Sequence, residues 1–311
     1  MKSQKKKIIL QLSTFLLAIL TILIAIPWYA LTLFLNQRYD QYQHNPDHFN
    51  INAETITLTT NDELNLAAWH VQAESDQPHG TVIILSGIQQ PSVTAFFGYA
   101  QMFAEAGWDS LLIEKRARSL SEGDSIGLAM TEWLDVEAGV LYLEADERVN
   151  DLPIIVMGTS AGGSTAIVAA GELPRIDGVI AISAYTSFID AYVDNVRLMG
   201  LPRFIGEATR PFMRLHLNWR FGTDDLNQTP LNALTAFDGR PLLLMHATQD
   251  WQVPFSHFEQ LELVATEIGI PLTTFVREGD WHFVVYDRYL FTPTQDVLFS
   301  DALFAFLAQF E

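Results

Sequence analysis

Three side chains in this sequence have the types and settings for nucleophilic acyl transfer. Ser160 stands in IVMGTSAGGS, residues 155–164, where an apolar run meets Gly158, and Gly162 and Gly163 follow. A sharp strand-to-helix turn crowds the side chains beside it, and glycine at 158 and 162 removes that crowding. Ser160 is then free to take strained dihedrals and project its hydroxyl above the strand ends, the nucleophile-elbow pattern G-x-S-x-G. The helix expected to start at once offers unpaired amides and a dipole that favour a developing negative charge. The plainer alternative is a capping serine in a glycine-rich turn. Phosphate binding fits poorly, since GTSAGG lacks the Lys-Ser/Thr ending of a P-loop and the spacing of a dinucleotide fingerprint.

A serine hydroxyl is a weak nucleophile without a base. His282, in REGDWHF, directly follows the last expected strand, and a loop there can return over the serine. An acid must fix the imidazole tautomer and support its charge. Asp250, in LLLMHATQDWQVP, directly follows the preceding strand. Asp280, two positions before His282, is expected to shape the loop or stay solvated. His246, His70 and His79 are expected to make structural hydrogen bonds, and Asp135 to sit in a helix's first turn. Arg116 could hold an anionic substrate near the mouth of the site. Arg118 is expected in a surface pair more than in binding.

These residues need a scaffold, and the body of the chain alternates strand and helix. Residues 54–72 read as strand, turn and strand. Further strands are expected at 80–87, 110–116, 152–158, 177–185, 240–247 and 271–278. Helices are expected at 92–106, 131–149, 161–171, 255–269 and from about 294. Near-continuous apolar strands separated by helices imply an α/β fold, a mostly parallel sheet covered on both faces, here with an antiparallel opening hairpin. Residues 186–238 form a long interval between two core strands. With Phe188, Tyr192, Phe204, Phe212, Met213, Trp219 and Phe221 they suggest a helical cap, the alternative being an ordinary crossover.

With Ser160, Asp250 and His282 in this order, residues 53–311 resemble the α/β-hydrolase superfamily, in its serine-hydrolase, lipase-like group. GTSAGG matches the elbow, HATQDWQVP resembles the acid segment and EGDWHF the histidine loop. RARSLSEG, 116–123, resembles a glycine-rich loop of the family, with Ala117 and Ser119 in place of glycines and Ser121 and Gly123 kept. LSGIQQPS, 85–92, resembles the oxyanion loop, with Ser86 where a histidine is usual. The resemblance implies an oxyanion hole made by the backbone N–H groups of Ala161 and of Ile88, with Gln89 the rival to Ile88. It implies a Ser160–His282–Asp250 triad with no metal or organic cofactor. Gln89, Arg116 and Trp251 are candidate substrate contacts.

The first 35 residues are of another kind. Ile8 to Leu35 carry no charge, a run longer than the roughly 20 residues a membrane-spanning helix needs. An uncleaved anchor is expected rather than a cleaved signal, for which Ala30 after two bulky aromatics is a weak site, a merely buried helix being the remaining alternative. Residues 1–7, with Lys2, Lys5, Lys6 and Lys7, would stay cytoplasmic and place the rest outside, as a single-pass cell-membrane protein. Residues 36–52 read as a polar linker, in which the four-residue spacing of His44 and His48 is a weaker metal-site alternative.

From residue 36 onward 14 Lys and Arg face 37 Asp and Glu, a net charge of −23. Such a surface repels nucleic acid, and adhesion of the folded body to an anionic membrane is not expected either. The absence of cysteine excludes disulfides, thiolate metal sites and cysteine nucleophiles. The expected activity is hydrolysis of a small-molecule or lipid-like carboxylic ester through an acyl-enzyme. An amidase or peptidase would use the same three residues, and a silent membrane-tethered binding domain is the alternative of another class.

Overall fold

The computed structural model describes residues 2–37, 43–88 and 90–311. Helix α1 spans Lys2–Leu35. An antiparallel hairpin, β1 (Ala53–Thr59) and β2 (Asn65–Val71), opens the body, followed by β3 (Thr81–Leu85), α2 (Phe97–Glu105) and β4 (Asp109–Ile113). Then come α3 (Trp133–Glu144), β5 (Ile154–Thr159), α4 (Ala161–Glu172) and β6 (Gly178–Ile182). Between β6 and β7 (Leu242–Ala247) lie four helices, α5 (Phe188–Asn195), α6 (Arg203–Phe221), α7 (Thr223–Asn227) and α8 (Pro230–Ala233). Helix α9 (Ser256–Glu267), β8 (Leu272–Arg277) and α10 (Val297–Leu307) complete the chain.

The eight strands form one sheet in the order β1-β2-β4-β3-β5-β6-β7-β8. Only the β1–β2 and β2–β4 pairings are antiparallel, as the opening hairpin predicts. Successive side chains on a strand face opposite ways, so an apolar strand feeds two cores. Ile83, Leu111, Val156, Val179 and Leu244 face one layer with α3, α4 and α9. Ile84, Leu112, Met157, Ile180 and Met245 face the other, with α2 and α10. That double burial is why these strands read as unbroken apolar runs.

Two local expectations are corrected. The strand expected at 110–116 ends at Ile113, because Glu114, Lys115 and Arg116 leave the sheet as a buried polar corner. The helix expected at 92–106 starts as a short 3-10 turn, Val93–Phe96, before α2.

The uncharged run 8–35 is one helix, but it does not act as one unit. Among the described residues no helix is long and apolar enough to cross a membrane. Leu31 and Leu35 are buried against Met213 and Leu217 of α6, and Trp28 stacks on His216 with ring centroids 4.0 Å apart. The end of α1 therefore belongs to the folded body, and 8–35 as a single membrane span is corrected on that ground. From Ile8 to Ile22 the large apolar side chains are exposed. That stretch rises only about 22 Å, against a hydrocarbon core of about 30 Å.

Candidate active site

Ser160 follows β5 and precedes α4 with φ 57° and ψ −122°, a strained conformation for a residue with a side chain. The turn holds it there, since the Ser160 N–H donates to the Ile182 carbonyl at 2.7 Å. A β-carbon on Gly158 would lie 2.2 Å from the Gly162 carbonyl, and one on Gly162 would lie 2.5 Å from the Leu85 carbonyl. Both positions therefore admit only glycine, as the elbow pattern requires. Ala161 opens α4, and amides in the first turn of a helix have no partner within it.

Asp250 leaves the end of β7 and is buried. Its Oδ1 accepts the N–H groups of Gln252 at 2.8 Å and Val253 at 3.0 Å, and its Oδ2 accepts from His282 Nδ1 at 2.7 Å. Burial opposes the charge of Asp250, but the His282 hydrogen bond and the Val253 amide outweigh it and hold the carboxyl below its usual range. An ionised Asp250 fixes the proton on His282 Nδ1 and leaves Nε2 as the basic nitrogen. His246 packs behind the pair and donates Nε2–H to the Val253 carbonyl at 2.9 Å.

Ser160 and His282 line one cavity of about 800 Å³ at the carboxyl ends of the strands. Among the described residues no hydrogen bond closes between them. Such contacts are commonly loose in a free enzyme and tighten with substrate. The loop after β3 lies against the serine, because a β-carbon on Gly87 would lie 3.2 Å from Ser160 Cβ and 3.3 Å from the Thr159 carbonyl. Ile88 and Trp251 line the cavity, and Trp251 is 55% exposed at its edge. Gln89 lies outside the described residues.

Arg116 is corrected as a substrate contact. It is buried away from the cavity lining, with Nε donating to Asp135 Oδ1 at 2.7 Å and its terminal nitrogens to Asp62 at 2.8 and 3.0 Å. Asp135 sits in the first turn of α3, as its position suggests, but it is fully buried and holds Arg116. Arg118 is not a surface residue either, being 2% exposed with Nη1 on the Gln37 carbonyl. Asp280 is exposed. His70 bonds Asp109 Oδ2 and Tyr142, and the ring of His79 lies beside Trp108. Ala117 and Ser119 keep left-handed dihedrals, φ 57° and 41°, so the loop retains a glycine-like course without glycine.

Several wall residues escape a reading by motif. Leu31 and Phe34 of α1, His44, Gln90, Tyr185 and Phe291 all line the cavity. His44 is no free linker residue, since its N–H donates to Thr94 Oγ1 at 2.9 Å and its ring packs 5.1 Å from Phe291. The aromatic content of 186–221 signals Phe188 and Tyr192. Nothing in an uncharged run separates Leu31 and Phe34 from their neighbours.

No protein-family model matches the chain. Two curated relatives, both called uncharacterized protein YfhR, come from Escherichia coli O157:H7 and strain K12. Each is 21% identical over 233 residues, covering 73% of this chain and 73% of the relative. Among solved structures, an esterase of Pyrococcus furiosus superposes with a TM-score of 0.67 at 19% identity, covering 86% of this chain and 97% of its own. The α/β-hydrolase GrgF of Penicillium sp. sh18 gives 0.61 at 19% identity, with 83% and 98% covered. An acylaminoacyl peptidase of Pyrococcus horikoshii gives 0.61 at 14% identity, with 81% of this chain and 41% of the peptidase covered.

Proposed function

From the α/β-hydrolase fold that these likenesses share with the chain, we propose that the protein is a serine hydrolase of carboxylic esters with apolar acyl groups. The observation that carries this reading is a strained Ser160 in one cavity with a His282 already oriented by a buried, ionised Asp250. Substrate binding closes the Ser160–His282 contact, and His282 Nε2 takes the hydroxyl proton as Oγ attacks the ester carbonyl. The oxyanion falls to the amides of Ala161 and Ile88. The alcohol leaves with the proton from His282, and water clears the acyl-enzyme by the same steps.

The cavity wall favours esters over peptides. No Asp, Glu, Lys or Arg lines it among the described residues, so nothing there pairs with a peptide terminus or a charged side chain. An acyl chain against Phe34, Phe188, Tyr192 and Phe291 replaces water by apolar contact.

The proposal extends to location, and here it rests on the sequence. Ile8 to Pro27 are twenty residues without charge within one continuous helix, preceded by Lys5, Lys6 and Lys7. We read the exposed apolar stretch of α1, Ile8 to Ile22, as attaching the protein to the cell membrane.

The test is a nitrophenyl ester series from acetyl to dodecanoyl, beside matched anilides, on the full chain. Ester turnover that falls by about 10⁴-fold in both Ser160→Ala and His282→Ala supports the reading. Ester turnover unchanged by Ser160→Ala sinks it, and faster anilide turnover moves it to an amidase.

A further inference from the structure

Among the described residues, helix α6 has an outer face that is largely exposed. Phe204, Ala208, Pro211, Leu215 and Trp219 follow one another at steps of four, three, four and four, which keeps them on one side of the helix. All five are exposed, the three large ones at 69% (Phe204), 60% (Leu215) and 70% (Trp219). The opposite side, Gly206, Thr209, Met213, His216 and Leu217, is the buried one. An apolar stripe of this length on a folded surface marks a contact surface rather than chance exposure.

Charge says what the contact is. This 19-residue helix carries Arg203, Arg210, Arg214 and Arg220 against one acidic residue of its own, Glu207, while Asp190 of α5 pairs with Arg210 and Asp194 lies 3.7 Å from Arg203. The chain from residue 36 onward has only 14 basic residues against 37 acidic ones, so α6 is richer in positive charge than the acidic body around it. Arg214 makes no ion pair among the described residues, and Arg203 is 60% exposed with no ion-pair contact shorter than 3.5 Å. An apolar stripe flanked by arginines is the pattern of a helix lying in a membrane interface.

Position agrees with charge. Trp28 of α1 stacks on His216 and lies 5.6 Å from Trp219, so the stripe runs directly into α1. Beside it Tyr29 and Leu33 of α1 are exposed as well. We propose that the outer face of α6 rests in the surface of an anionic lipid bilayer, continuing the contact made by α1. This rests on the bilayer reading of α1 and adds a second point of contact, on a body otherwise too acidic to approach such a surface.

The contact also brings the cavity to the lipid. Helix α6 packs on α5, with Gly206 so close that a β-carbon would lie 3.0 Å from the Val193 carbonyl. Helix α5 supplies Phe188, Ala191, Tyr192 and Asn195 to the cavity wall. A bilayer under α6 is thus separated from the acyl cavity by one helical layer.

The chain has no cysteine, so single-cysteine variants report one place each. A polarity-sensitive fluorophore is attached to Leu215→Cys, to Leu12→Cys in α1 and to Leu263→Cys on the exposed face of α9. Each full-length variant is reconstituted into phosphatidylcholine vesicles with and without phosphatidylglycerol and with a lipid-borne quencher. The proposal predicts that the label at 215 is blue-shifted and quenched, more with phosphatidylglycerol, while the label at 263 is not. It further predicts that Arg214→Gln weakens the phosphatidylglycerol-dependent part about fivefold. Quenching at 12 but not at 215 overturns the α6 contact and leaves that of α1. Quenching at neither overturns both. Shielding of 215 that grows with protein concentration in detergent, without vesicles, means that a second copy covers the face, and also overturns the proposal. None of these readouts uses turnover, so a failure of the esterase reading is seen separately.

Discussion

Gly87 lies against Ser160, packing the loop after β3 tightly onto the turn that carries the serine. A β-carbon at 87 would lie 3.2 Å from Ser160 Cβ and 2.5 Å from Gln90 Oε1. Gly87→Ala must therefore displace Gln90 Oε1 and move the loop from the serine by a few tenths of an ångström, shifting the Ile88 amide with it. We expect kcat for short esters to fall about 10²–10³-fold, the cost of losing one oxyanion donor. The Tm should move by only a few degrees, because the loop lies at the sheet's edge of the cavity. Steady-state kinetics with thermal melts on the same preparation check both parts.

Phe34 ties α1 to the site, stacking on Phe188 with ring centroids 5.7 Å apart while both line the cavity. Phe34→Ala should lower kcat/KM for a decanoyl ester about tenfold, equivalent to two methylenes left unburied at about 0.8 kcal/mol each. The acetyl ester should change less than twofold. Equal losses on both esters would show that α1 supports the fold and does not select the acyl chain.

Ser119 sits at φ 41° with its hydroxyl buried and without a partner. Left-handed backbone costs a residue with a side chain about 1–2 kcal/mol, part of which glycine returns as unfolded-chain entropy. Removing the unsatisfied hydroxyl helps further. Ser119→Gly is therefore expected to stabilise the protein by about 1 kcal/mol, read as a higher urea midpoint with an unchanged slope. A lower midpoint would show that the hydroxyl has a role in the loop.

His246 gives a pH signature. Burial pushes its pKa from 6.5 down to about 4, against the opposing pull of the Val253 carbonyl and Asp250. The unfolded chain takes up this proton first as pH falls, so the folded state loses stability between the two values. Glu114 and Asp135, pushed up by burial to about 7 and about 6, act in the opposite sense. The test is therefore the difference from His246→Gln. Between about pH 7.5 and 4.5 the stability of wild type relative to this variant should fall by about 2–3 kcal/mol. Urea titrations at four pH values measure it, and a constant difference would mean that His246 is already charged or not a burden.

The sharp turn at Ser160 was legible because it needs glycine at two fixed positions, and such steric demands leave a mark in sequence. The strands were legible because burial on both faces writes an apolar run. Arg116 misled because its loop position said nothing of Asp62, which is 54 residues away and meets it only through the fold. The uncharged run 8–35 misled in another way. Apolar side chains suit lipid and protein equally, so only packing shows that Leu31 and Leu35 bury against α6 while Phe34 lines the cavity. The outer face of α6 was hidden for a related reason. Its stripe reads like a core-facing one until the fold shows that its other side is the buried one.

The most direct test of the central claim is covalent capture of the nucleophile. The full-length protein in detergent is treated with a fluorophosphonate, digested, and the adduct located by mass spectrometry, beside Ser160→Ala and Asp250→Asn. The account predicts one adduct, on Ser160, absent from Ser160→Ala and formed far more slowly by Asp250→Asn. An adduct that persists in Ser160→Ala, or a folded wild type that takes none, would contradict it.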